Sequence, residues 1–140
     1  MDIDVEFTWR YAQHGEYALN YCRVLYAYAH PDTADILYIG KADLCSVKER
    51  LRGRHKEEIF EFFNREIGIT EMGLLVGELI LPEGRNYSSA LLSDIESLLI
   101  AELQPPANIQ CTATRNPRPG LNVICTGEWP HDFDQFIDDY

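Results

Sequence analysis

At 140 residues, 46% of them hydrophobic and 11% aromatic, the chain has the material for one domain with one core and too little for a second. Its formal net charge of -11 excludes a surface that attracts nucleic acid all over, since that needs clustered cations. No run is long and apolar enough to span a membrane, and the opening Met1-Asp2-Ile3-Asp4-Val5-Glu6 lacks the basic and apolar regions of a signal peptide, so a cytoplasmic protein without a membrane partner is expected.

Taken in order, residues 1–20 set Phe7, Trp9, Tyr11 and Tyr17 among acids with a turn-like His14-Gly15, and read as an N-terminal arm or short strand that covers core. The aromatic and apolar run Tyr21 to His30 ends at the turn signal Pro31-Asp32 and is the first strand. Ile36 to Ile39 follows after a few residues, so the two should pair as an antiparallel hairpin that brings Tyr26 near Tyr38. Helix one is expected from Val47 toward Ile67, with Val47, Leu51, Ile59, Phe62, Phe63 and Ile67 as its stripe, Gly53 able to loosen or break it partway and Gly68 as its cap. Met72 to Leu81, a largely apolar run stopped by Pro82, suits a buried central strand, and Ser89 to Leu103 a second helix with Leu91, Ile95, Leu98 and Leu99 inward, stopped by Pro105-Pro106. Asn116 to Gly120 is loop, and Leu121 to Cys125 reads as a short edge strand.

The cysteines, Cys22, Cys45, Cys111 and Cys125, form no CxxC pair and read as buried thiols, with no spacing that supports a zinc site. Charge is more informative. Lys41, Lys48, Arg50, Arg52, Arg54 and Lys56, six of the 12 Lys and Arg residues, fall between positions 41 and 56, whereas residues 127–140 carry Glu128, Asp132, Asp134, Asp138 and Asp139 and no cation. Lys48, Arg52 and Lys56, spaced by four among Glu49, Glu57 and Glu58, read as a solvated helix face. Lys41 and Arg50 lie nearer the strand end. Ile36 to Gly40 with Lys41, followed by a capping box at Ser46 and Glu49, makes a compact anion site with Arg50 and Arg54 one turn apart, for which phosphate is the obvious ligand.

These residues carry a resemblance. Val24-Leu25-Tyr26, then eleven residues, then Tyr38-Ile39-Gly40 with Lys41 after it, Arg50 and Arg54-His55 in the helix, Glu96 in the last helix and Asn108 behind two prolines resemble the GIY-YIG nuclease superfamily over residues 22–110. The glycine of the first triad is replaced by Val24. The resemblance implies an α+β domain, a three-stranded antiparallel sheet flanked by helices in the order β-β-α-β-α, with a core at about 21–110, the arm at 1–20 and a C-terminal extension at 111–140 that ends in the acidic tail.

It also implies a divalent-metal-dependent endonuclease that hydrolyses DNA phosphodiesters. Tyr26 would orient or deprotonate the attacking water, Tyr38 would support the same network, Arg50 would stabilise the phosphoryl charge, and Glu96 would bind Mg2+ or Mn2+. Lys41, Arg54, His55 and Asn108 would hold the substrate or brace the site. A guanidinium and a metal placed where an in-line displacement gathers charge lower its barrier, and a lone carboxylate suits a Mg2+ that keeps most of its waters. The acidic surface favours a limited target such as branched or otherwise structured DNA. Plain alternatives stand beside each role: Tyr26 and Tyr38 as core aromatics with hydroxyls at the rim, His55 as a helix-surface residue, Glu96 as the partner of Ser93 in a capping box, Asn108 as a turn residue. The whole domain could equally be a catalytically inactive nucleic-acid-binding or protein-interaction module, whose acidic tail docks on a basic partner, folds over the cationic strip, or forms a terminal helix.

Overall fold

The computed structural model describes residues 3–12, 17–52, 54–109, 120–131 and 133–138. Among them one mixed six-stranded sheet is built from β1 (Ile3–Ala12), β2 (Val24–Ala29), β3 (Ile36–Ala42), β4 (Gly73–Ile80), β5 (Leu121–Gly127) and β6 (Gln135–Asp138), in the spatial order β3-β2-β4-β1-β5-β6. This corrects the expected three-stranded antiparallel sheet flanked by helices. β3, β2 and β4 lie side by side and antiparallel, but they are only half of the sheet. β1 continues it antiparallel to β4, β5 joins β1 in parallel, and β6 forms the far edge.

The reading of residues 1–20 as an arm fails at β1. Val5, Phe7 and Trp9 are buried and alternate with Asp4, Glu6, Thr8 and Arg10, so one face of a ten-residue strand lies in the core. β1 is therefore central, between β4 and β5. β5 is not the expected edge either, because β6 covers its outer side. Residues 135–138 are neither a helix nor a free tail: Phe136 and Asp138 point inward from β6, at the opposite edge of the sheet from the cationic strip that follows β3. Asp132, Asp139, His14, Gly15, Gly53, Cys111 and Asn116 to Pro119 lie outside the described residues.

The expected helix over 47–67 is broken in two. α1 (Val47–Arg50) starts at the capping box, in which Ser46 accepts from the Glu49 backbone N–H at 3.2 Å and Glu49 accepts in return from the Ser46 N–H at 3.4 Å. It ends after one turn at Leu51, so Arg50 closes α1 while Arg54 opens α2 (Arg54–Phe62), and the two do not stack on one helix face. A π turn over Phe63–Ile67 follows, closed by Gly68 at φ 81. α3 (Ser89–Leu103) is capped by the Ser88 side chain on the Leu91 N–H, which removes the alternative of a helix starting at Ser93. α4 (Pro106–Ile109) is a single turn.

Two cores result. α3 lays Leu91, Leu92, Ile95, Leu98 and Leu99 on the sheet face formed by Val5, Phe7, Leu25, Ala27, Ile39, Leu75 and Val123. On the other face Val47, Ile59 and Phe63 cover Tyr26, Tyr28, Tyr38 and Val76, but only over the β3-β2-β4 half. Burial on both faces explains why β2 reads as a continuous apolar run, whereas β1, covered on one, alternates. Cys125 is buried, Cys45 half-buried and Cys22 exposed, which corrects the expectation that all were core thiols. No described helix is long and apolar enough to cross a membrane.

Candidate active site

The site grows from the β2–β3 hairpin. Tyr26 stands opposite Gly40 and Tyr28 opposite Tyr38, so three phenols share one face, with ring centroids 6.1 to 6.2 Å apart. Gly40 is required by this packing. A Cβ there would lie 2.5 Å from Tyr26 Cζ and 2.6 Å from its hydroxyl, so the Tyr26 ring occupies the space that a side chain at 40 would fill. The glycine of the second triad thus has a steric cause, independent of any family pattern.

α1 brings in the cation. Val47 is fully buried and its N–H donates to the Tyr21 carbonyl at 3.0 Å, which docks the single turn against the sheet and sets Arg50, at its end, beside Tyr26. Burial pushes the Tyr26 phenol above its ordinary value, while the Arg50 charge and hydrogen bonds from Tyr38 and Arg50 pull it back. Burial pushes Tyr38 upward too, and there the neighbouring Tyr26 and the bond donated to it add to the shift. Tyr26 is hydrogen-bonded to Tyr38 and accepts from Arg50, whose charge offsets part of the cost of burial that keeps the phenol protonated. The Tyr28 hydroxyl is buried without a hydrogen-bond partner and is raised by burial as well, then by Tyr26.

Glu96 approaches from α3, half-buried. Burial raises its carboxyl above the usual carboxylate range, and Lys41 and Arg50 pull it back. Lys41, half-buried at the end of β3, donates to the Ser93 hydroxyl, one turn before Glu96 on the same helix. Asn108, buried on α4, clamps the free edge of β3: its Oδ1 accepts from the Ile39 N–H at 2.7 Å and its Nδ2 donates to the Ile39 carbonyl at 2.9 Å. Ile39 lies between Tyr38 and Gly40, so Asn108 holds the strand that presents them, and the turn-residue reading falls.

Tyr26, Tyr38, Lys41, Arg50, Glu96 and Asn108, which span 82 positions of the chain, are therefore gathered around the exposed end of one hairpin. Arg54 and His55 stand in the first turn of α2, with side chains outside the described residues. Sequence reasoning missed Ser93, Tyr28 and a polar cluster beyond Lys41 in which Asp43 accepts from Tyr87; contacts between residues so far apart leave no local signal. Among the described residues no three His, Cys, Asp or Glu side chains cluster as a metal cage. Glu96 offers carboxylate oxygens of the kind that suit one hydrated hard cation such as Mg2+ or Mn2+, with Lys41 and Arg50 already lending it positive charge. No protein-family model, curated protein or solved structure matches the chain.

Proposed function

We propose that the chain is a divalent-metal-dependent endonuclease that hydrolyses DNA phosphodiester bonds, as its resemblance to the GIY-YIG nucleases implies. The observation that supports it best is the polar network that joins Tyr26 to Tyr38 and Arg50 with Glu96 beside them, on a ring seated in the gap left by Gly40. A purely structural aromatic cluster does not need an arginine and a carboxylate at its rim.

The chemistry follows from these groups. When bound at Glu96, a hydrated Mg2+ or Mn2+ supplies positive charge to the phosphate oxygens as the bond to the leaving oxygen breaks. Arg50, exposed at the end of α1, keeps guanidinium donors beyond the Tyr26 bond for a non-bridging oxygen. Burial keeps the proton on Tyr26 in the free protein, so its hydroxyl first orients the attacking water; if the proton leaves, Tyr38 and Arg50 stabilise the phenolate. Lys41 adds charge at the strand end, held by Ser93.

Cleavage of supercoiled plasmid and of branched oligonucleotides with Mg2+ or Mn2+ tests the proposal. Wild type should cut, and Glu96→Gln and Arg50→Ala should each lose at least about a hundredfold in rate. Folded wild type that cuts no substrate, or Glu96→Gln that cuts as fast as wild type, would overturn it.

A further inference from the structure

Beyond Lys41 the hairpin end carries a second cation, prepared for an anion and used by none of the roles above. Val24 pairs with Ala42, so Arg23 lies next along the hairpin, beside Asp43. Its guanidinium carbon sits 4.9 Å from the centroid of the Tyr87 ring. That ring packs against the α3 core and its hydroxyl donates to Asp43, which is itself also hydrogen-bonded by Ser89. Arg23 is exposed and has φ 61, in the left-handed region that side-chain-bearing residues avoid. The guanidinium therefore lies over an anchored ring, the arrangement in which arginine binds phosphate with least loss of freedom. A shallow groove of about 490 Å3 runs beside it, lined by Asn20, Tyr21, Cys22 and Leu79, with Glu78 as its one acid.

We infer that Arg23, stacked on Tyr87, is a second phosphate-binding residue that holds the DNA strand beside the scissile bond. This rests on the endonuclease reading and extends it to the substrate's path. Arg23, on Tyr87, lies on the α3 side of the hairpin, the face opposite the Tyr26 ring, and shares that side with Lys41. Arg23 and Lys41 both act on Asp43, and Lys41 also acts on Glu96, so the strand meets two cations leading to Glu96 rather than a broad basic face.

Binding of a fluorescein-labelled DNA duplex in EDTA, followed by anisotropy across a salt series, tests it without catalysis. Arg23→Gly suits the positive φ and should fold at least as stably as wild type, as thermal melting will verify. It should weaken binding on the order of tenfold and make the slope of log K against log salt shallower by about 0.9. Arg23→Lys should keep the slope and lose part of the affinity, because charge remains without the stacked plane. Wild-type affinity and slope in Arg23→Gly, while wild type binds DNA, would overturn this contact and leave the endonuclease reading intact. A lowered melting temperature with an unmoved slope would also overturn it, by assigning Arg23 to folding alone. Failure of wild type to bind any DNA at low salt, in EDTA and equally with Ca2+ in its place, would remove the endonuclease reading and this contact with it.

Discussion

Gly40 and Glu96 each concentrate a conflict between stability and the site. At Gly40 the conflict is steric, since an added Cβ meets the far end of the Tyr26 ring, which is itself buried and bonded to Tyr38 and Arg50. Gly40→Ala should therefore cost about 1–3 kcal/mol, the usual penalty of overpacking, and displace the phenol from Arg50. Chemical denaturation gives the first number and the cleavage rate reports the second, which should fall even where the variant remains folded. At Glu96 the conflict is electrostatic. Its raised carboxyl means that the native state holds a proton at a pH where the unfolded chain has released it, so its contribution to stability is present in acid and is lost as pH rises through the raised value. Glu96→Gln should then melt higher than wild type at neutral pH, and the gap should close as pH falls toward the ordinary carboxylate range. A Glu96→Gln variant that melts lower at neutral pH would mean that attraction to Lys41 and Arg50 outweighs the cost of burial.

β3 is the element on which the site depends, and it is an edge strand. An edge exposes backbone groups that invite pairing with another chain, and Asn108 occupies those of Ile39 as a further strand would. Asn108→Ala leaves an N–H and a carbonyl without partners, at a cost of about 2 kcal/mol or more, and frees the segment carrying Tyr38 and Gly40. Faster amide exchange at Ile39 and a lower melting temperature would report it, together with a loss of cleavage; unchanged exchange would show that the clamp is dispensable. The same element shows what was legible beforehand. The hairpin, the cap at Ser46 and α3 could be read because each is written in contiguous residues, and the grouping of the candidate residues because their order along the chain is itself a pattern. β6 was missed, and β1 was only half read, as an arm or a short strand. The alternation of Val5, Phe7 and Trp9 with acids and Arg10 was present in the sequence and was outweighed by the charge of the segment. Only β5 gives β6 its meaning, since four residues with one buried Phe136 carry no periodicity of their own. The break between Arg50 and Arg54 was signalled by Gly53, although the apolar stripe runs on across it.

For the molecule as a whole, charge decides what kind of DNA can be held. Against 23 acidic residues stand 12 Lys and Arg, and β6 with its acids lies across the sheet from β3, so it leaves the cationic end open. The strip cannot be widened by rearranging that tail, because Phe136 is a core residue: removal of residues 135–140 should abolish folding rather than raise activity. If Lys41, Arg50 and Arg23 are the cations that meet phosphate, log K for a duplex should fall with log salt at a slope of about -3, since each neutralised phosphate releases about 0.9 counterion. So few contacts leave little affinity at physiological salt, and long-range repulsion from the acidic body opposes the flanks of an extended duplex. The substrate must then be chosen by shape near the bond, which favours a branch, a flap or an end over an uninterrupted helix. In competition for limiting enzyme with Mg2+ present, a branched oligonucleotide should be cut before a linear duplex of the same sequence, and raising salt should widen the difference as shared phosphate contacts weaken. Equal rates on both, with a slope near -7 or steeper, would require a continuous basic track that the charge distribution of this chain does not provide.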